Sequence, residues 1–172
     1  GTYLIGLDGD NADFELLNGA EILVDNTTAL DLDIICVNAS TGNDITINNS
    51  KINVTNLDGR VLFRGNYKIA GDSELNLNGI TKAGIRIEKG QTLSIEDTAK
   101  VTITGVGGED PRDGGIHLTD ASATYTKADT ATVNASVNAP WVAKVGDVGF
   151  ATFAEALNAV EDGQTITLVD GV

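Results

Sequence analysis

From about Asp31 to Thr104, apolar and polar residues alternate in short bursts, each bounded by Gly, Asn or Asp. Ile45-Thr46-Ile47, Ile52-Asn53-Val54, Leu75-Asn76-Leu77, Ile85-Arg86-Ile87, Leu93-Ser94-Ile95 and Val101-Thr102-Ile103 all follow the scheme. A period of two puts successive side chains on opposite sides of a strand. The pattern therefore predicts strands that bury one face and present Asn, Thr, Ser or Arg on the other. No segment before residue 150 sustains a 3.6-residue apolar period, so helix is expected only near the end of the chain.

The bursts also recur as a phrase. Gly71-Asp72-Ser73-Glu74-Leu75-Asn76-Leu77, Gly90-Gln91-Thr92-Leu93-Ser94-Ile95 and Gly163-Gln164-Thr165-Ile166-Thr167-Leu168 share one layout, and Leu75 and Leu93 are 18 positions apart. That spacing suits one coil of a parallel β-helix, in which no coil buries its own apolar face and each stacks on its neighbours to do so. Aromatic residues make up only 5% of the chain, which fits a narrow aliphatic core. The fold class expected is mostly β, a parallel solenoid with one short helix near the C-terminus. A β-sandwich is the alternative, because closely spaced strands and turns read similarly there.

The segment 109–138 is looser, with Pro111, Gly114-Gly115 and an Ala/Thr/Ser/Asn-rich run, and reads as a corner loop followed by edge strands. Composition changes again at Ala139-Pro140-Trp141. Two units are expected: a solenoid over 1–138 and a helix-containing junction over 139–172, which caps the first unit or starts the next. In the junction, Thr152 and Glu155 have capping-box spacing, Phe153, Ala156, Leu157 and Val160 share a helical face, and Gly163 follows. The strand Thr165–Leu168 then lacks a following coil with which to pair. With no methionine and a leading Gly1, the chain reads as a piece of a longer protein.

The run from Val142 through Phe153-Ala154-Glu155-Ala156-Leu157 to Leu168 resembles a unit of large surface proteins from gut Firmicutes and related bacteria. There it opens a pectate-lyase-like β-helix repeat. Gly84-Ile85-Arg86-Ile87-Glu88-Lys89-Gly90-Gln91-Thr92-Leu93-Ser94-Ile95 is similar to the coils of such proteins. The resemblance implies a right-handed β-helix, secretion and display at the cell surface, with neighbouring modules of the same parent protein as partners.

A formal net charge of −14 and a pI near 4.2 argue against nucleic acid, whose binding depends on Lys and Arg releasing counterions. No apolar run reaches the ~18 residues of a membrane helix, so membrane insertion is not expected. The single cysteine, Cys36, lies in an apolar strand and reads as a buried thiol. No cofactor is implied.

The segment richest in chemistry places Glu109, Asp110, Arg112, Asp113 and His117 within nine positions, beside Pro111 and two glycines. It is the candidate ligand site, set against an exposed turn whose charges face water. Asp8, Asp10 and Asp13 form a lesser candidate for calcium, although Ala12 and Asp13 stand where an EF-hand loop needs a ligand and a glycine. No metal site is assigned. Arg86 has no evident acidic partner at matched spacing, and the paired-Asp, Gly-His-Gly and Arg-Ile-Lys motifs of polygalacturonases are absent. No catalytic residue is assigned. The expected function is a non-catalytic structural or binding module of a secreted or cell-surface protein, contacting extracellular glycan or a host surface protein. The alternative is a pectate-lyase-like polysaccharide lyase or hydrolase.

Overall fold

The computed structural model describes residues 2–25, 32–38, 42–105, 115–120, 122–146, 148–150 and 152–169. The chain winds in rounds of three strands. The first round is β1 (Thr2–Asp8), β2 (Phe14–Leu17) and β3 (Glu21–Asp25), and the second is β4 (Leu32–Asn38), β5 (Asp44–Asn48) and β6 (Lys51–Leu57). The third comprises β7 (Gly59–Phe63), β8 (Asn66–Ala70) and β9 (Glu74–Ile80), and the fourth β10 (Ile85–Ile87), β11 (Thr92–Ile95) and β12 (Lys100–Thr104). The fifth is β13 (Ile116–Leu118), β14 (Thr124–Lys127) and β15 (Thr132–Asn134), after which β16 (Val137–Asn138) begins another. Equivalent strands stack into three parallel sheets, the first β1-β4-β7-β10-β13-β16, the second β2-β5-β8-β11-β14 and the third β3-β6-β9-β12-β15. This is the predicted parallel solenoid; the β-sandwich alternative is set aside.

Parallel register makes each inward position a column. Ile5, Ile35, Leu62, Ile85 and Ile116 stack in the first sheet. Phe14, Ile45, Tyr67, Leu93 and Tyr125 stack in the second, and Ile22, Ile52, Leu75, Val101 and Val133 in the third. Strands in a sheet lie about 4.8 Å apart, so column neighbours touch and water is excluded between rounds. Leu75, Leu77, Ile85, Ile87, Leu93, Ile95, Val101 and Ile103, all predicted to face inward, are buried, the most exposed at 6%. Among the described residues Tyr67 is the one polar-tipped side chain of the largest fully buried ones. Its hydroxyl lies 3.2 Å from the Ile35 carbonyl oxygen and 3.3 Å from that of Phe63, either of which accepts its proton.

The expected 18-residue coil is incorrect. Leu75 stacks on Ile52 and Val101 in the third sheet, whereas Leu93 stacks on Tyr67 and Tyr125 in the second. Hydrogen-bonded partners on successive rounds stand from 21 to 34 residues apart. The recurring Gly-polar phrase marks corners, and a triangular round has more than one. At the corner between the second and third sheets, Ala20, Ser50, Ser73, Ala99 and Ala131 stack as a column of small residues, and their carbonyls continue the ladder to Lys51, Glu74, Lys100 and Thr132. Tight bends there put Asn18, Asn49 and Asp97 at left-handed φ values of 56°, 49° and 53°, a region that Asn and Asp tolerate better than most residues. The Asn49 side chain also accepts from the Asp72 amide at 3.0 Å, which satisfies a corner backbone donor.

The two ends of the stack differ. In the first round the inward residues of β1 and β3 are only half-buried, and Leu4 and Leu23 are 58% and 70% exposed. At the other end, Lys127 occupies the column below Ile95, and its ammonium donates to the carbonyls of Ala128 and Ala131 at 3.0 and 3.2 Å. A charged side chain closing an apolar column opposes continuation of that column. Beyond β16 the chain forms an antiparallel sheet, β18 (Val148–Phe150), β17 (Ala143–Val145) and β19 (Ile166–Leu168), with helix α1 (Phe153–Ala159). Trp141, with Ala139 and Val169, joins the solenoid core, and its ring packs so closely on Gly149 that a Cβ there would sit 2.1 Å from it.

Thr152 and Glu155 form the predicted capping box. β19, for which the sequence predicts no following coil, pairs antiparallel with β17 within this unit. The predicted apolar helical face is not borne out: only Ala156 of it is buried, and Phe153 and Leu157 are 48% and 57% exposed. A small core of Ala143, Val145 and Ala156 has room for little more.

Leu77 tests the inward columns. Leu77→Ala should lower stability by about 2–5 kcal/mol, and Leu77→Asp by more, because it buries an unpaired charge. Thermal melts of both variants check the order; an unchanged Tm for Leu77→Asp contradicts it.

Candidate functional site

The outward positions form columns by the same register. On the third sheet Glu21, Lys51, Glu74 and Lys100 alternate in sign along the solenoid axis. Lys51 Nζ lies 3.1 Å from Glu74, and Lys100 Nζ lies 3.8 Å from it. The next column is Leu23, Asn53, Asn76, Thr102 and Asn134, followed by Asp25, Thr55, Asn78 and Thr104. Asn53 Nδ2 donates to Glu21 at 2.6 Å, Asn76 Nδ2 to Asn53 Oδ1 at 2.9 Å, and Thr104 Oγ1 to Asn78 Oδ1 at 3.1 Å. Asn53, Asn76 and Asn78 thus build a polar outer face, linked from round to round by their own side chains. Each amide used to link one round to the next still presents a remaining donor or acceptor outward.

The first sheet carries a different outer column: Gly6, Cys36, Phe63, Arg86, His117 and Asn138. Three of the four arginines gather on Phe63, with the guanidinium carbons of Arg60, Arg64 and Arg86 at 3.9, 4.5 and 5.5 Å from the ring centroid. Stacking of this kind is favourable because the aromatic face is electron-rich and guanidinium is weakly hydrated. Asp33, only 3% exposed, takes Arg60 through two bonds, Nε to Oδ1 at 2.7 Å and Nη2 to Oδ2 at 3.3 Å. Arg86 Nε lies 3.1 Å from Glu88 on the same strand edge, which corrects the expectation that Arg86 has no acidic partner. Cys36 is buried as predicted, and burial, reinforced by Asp33, pushes its thiol above the ordinary 9.0. A raised value makes the thiol a poor nucleophile at neutral pH.

The candidate residues from the sequence divide as follows. Glu109, Asp110, Arg112 and Asp113 lie outside the described residues. His117 shares the Arg86 column but is covered, at 5% exposure, beside a groove of about 380 Å³ that continues to Thr119, Asn138 and Pro140. Around the Asp8–Asp13 turn, Asn43 of the second round supplies a brace, donating to the Gly9 carbonyl at 3.1 Å and accepting from the Ala12 amide at 3.3 Å. Asp13 accepts from the Asp44 amide at 3.3 Å. Among the described residues no group of three or more His, Cys, Asp or Glu side chains is placed to share a metal ion. Sequence reasoning missed Asp33, Arg60, Phe63 and Arg64 as a cluster. The available signal was the placement of three arginines over 60–86 in a chain whose first 50 residues contain no Lys or Arg.

No protein-family model, curated protein or solved structure matches the chain.

Surface charge pairs make stability depend on acidity. Glu74 is held below the ordinary 4.5 by the hydrogen bond and charge of Lys51, and Glu96 by the hydrogen bonds of Lys68 and Ser94. Because the folded values are lowered, this stabilisation is complete above the unfolded value and disappears as pH falls through the folded ones. Tm should decline below about pH 4.5, more shallowly in Glu74→Gln and Glu96→Gln, with small effects because these pairs are exposed. Melts over a pH series check the slope. Millimolar calcium, in contrast, should shift Tm by no more than about two degrees, since screening creates no coordinated site. A rise of about ten degrees that is lost in Asp10→Ala would place a cation in the 8–13 turn.

Proposed function

We propose that the chain is a non-catalytic structural and binding module of a secreted, surface-displayed bacterial protein, adjoining further modules of its parent and holding an extended glycan or a host surface protein along the third sheet. The observation carrying this reading is the outer face of that sheet, where Asn53, Asn76, Thr102 and Asn134 repeat at strand spacing beside Thr55, Asn78 and Thr104. A regular row of amides and hydroxyls offers hydrogen bonds to successive sugars of an extended chain without a deep pocket. The bacterial surface setting rests on the resemblance of the 84–95 and 142–168 segments to β-helix surface proteins. Arg86, the residue most suited to a lyase role, has its Nε engaged by Glu88, which supports binding over turnover.

Each contact on such a face is exposed and weak, so one module should bind a neutral glycan with a Kd on the order of 10⁻⁴ to 10⁻³ M, and tandem copies much more tightly through avidity. Titration of the chain against a neutral oligosaccharide panel, with the Asn53→Ser/Asn76→Ser double variant alongside, tests the assignment. Loss of binding in the variant is expected; binding unaffected by it overturns the choice of face. The same panel, extended to acidic polysaccharides with and without calcium, is followed for unsaturated products and new reducing ends. Sustained turnover abolished by Arg86→Ala would replace the module with a polysaccharide lyase or hydrolase.

A further inference from the structure

We propose that Arg64 and Arg86 on the first sheet form a binding site for a sulfate ester carried on a sugar chain, separate from the neutral-glycan face of the third sheet. Arg64 is the anomaly that points there. Its φ is +60°, and every other non-glycine residue with positive φ among the described residues is Asn or Asp: Asn11, Asn18, Asn49, Asn56 and Asp97. Those side chains suit a left-handed corner, whereas a long side chain gains nothing from it. Among the described residues no carboxylate lies within ion-pair distance of the Arg64 guanidinium, which rests only on the Phe63 ring at 4.5 Å. Strained residues kept against local preference concentrate at binding sites.

Arg86 stands beside it. The Arg64 amide donates to the Arg86 carbonyl at 3.0 Å, and both guanidinium groups pack on the same ring. Glu88 fixes Arg86 through Nε alone, leaving its terminal nitrogens, and the side chain retains 24% exposure. Arg60 takes no part, because Asp33 occupies two of its nitrogens. Two guanidinium groups with donors left over thus pack on one ring in a protein whose net charge is −14.

The geometry favours a particular anion. A planar carboxylate is satisfied by the fork of one guanidinium in its own plane and so has no need of a second arginine, whereas Arg64 and Arg86 both bring donors here. A sulfate ester has three terminal oxygens in a tetrahedral array, so it accepts single donors arriving from two strands, and its single charge limits repulsion from the acidic protein. The groove of about 380 Å³ running from Arg86 past Thr119 and Asn138 lies within the size range of small-ligand sites and gives the attached sugar hydroxyl and amide partners.

The test is calorimetric titration of the chain with a sulfated tetrasaccharide, its chemically desulfated counterpart, which retains the carboxylates, and a single-stranded oligonucleotide. Arg64→Asn and Arg86→Gln are the variants. Arg64→Asn suits the corner, so its Tm should equal or exceed that of the parent, and any lost binding is not a folding defect. The sulfated sugar should bind with a Kd on the order of 10⁻⁴ to 10⁻³ M, weaken at least about fivefold in each variant, weaken with added salt, and be unaffected by Asn53→Ser/Asn76→Ser. Absence of binding, or equal binding by both variants, overturns the site. Equal affinity for the desulfated sugar or the oligonucleotide overturns the sulfate assignment. Binding of the sulfated sugar with no neutral glycan bound sustains this site and overturns the Asn53/Asn76 face alone.

Discussion

Parallel, in-register stacking is the constraint on which the rest of this structure depends. When each round lies directly on the last, a position in one strand meets the same position in the next at about 4.8 Å, and the character of a column must be shared by all its members. Inward columns are therefore aliphatic almost throughout, and a polar exception needs its own partners. Tyr67 meets that requirement through the Ile35 and Phe63 carbonyls, and burial holds its hydroxyl well above the ordinary 10.0. Ser73 meets it at the corner, where Oγ donates to the Ala70 or Ile47 carbonyl and accepts from the Ser50 amide.

The same rule organises the exterior. Like charges stacked at strand spacing repel, and the Glu21-Lys51-Glu74-Lys100 column avoids this by alternating sign. Asparagine carries both a donor and an acceptor, so it can stack on itself, and Asn76 on Asn53 does so. The guanidinium–aromatic pile on the first sheet is a third solution, in which three cations gather on the electron-rich π system of one ring. Column chemistry also marks where stacking ends: Lys127 replaces the aliphatic residue below Ile95, and Trp141 covers core that another round would otherwise reach.

Legibility in the sequence follows from which features repeat locally. Alternation within a strand needs only a few residues, so the inward set from Leu75 to Ile103 is legible in the residue order alone, as are the buried Cys36 and the Thr152–Glu155 capping box. Register between rounds is not. The separation between rounds is set by corners of unequal length, and the Gly-polar phrase shared by two corners of the triangle suggests an 18-residue repeat that belongs to neither. Chemistry that depends on register is hidden for the same reason: Cys36, Phe63 and Arg86 are far apart in the chain and adjacent only in the stack. Within the C-terminal unit, helical periodicity locates α1 correctly but overstates its buried face, because the sheet beneath it is only three short strands wide.

A solenoid separates the demands of folding from those of recognition more completely than a globular domain does. Inward columns and corner residues specify the stack, while outward positions answer only to their column neighbours. A departure on the outside that also strains the backbone is consequently more informative than one that merely adds charge. Several outward charges among the described residues are accounted for by pairing: Lys51 with Glu74, Lys68 with Glu96, Arg60 with Asp33 and Arg86 with Glu88. Arg64 is accounted for by none of these, and it occupies a corner at which the stacked bends use Gly or Asn for their left-handed residues. Stacking on Phe63 explains how the side chain is held but not why an arginine stands there, since an asparagine would relieve the backbone and cost the core nothing. Among the described residues no carboxylate meets the Arg64 guanidinium, and a bound anion of the kind proposed would supply the partner that the strained corner lacks.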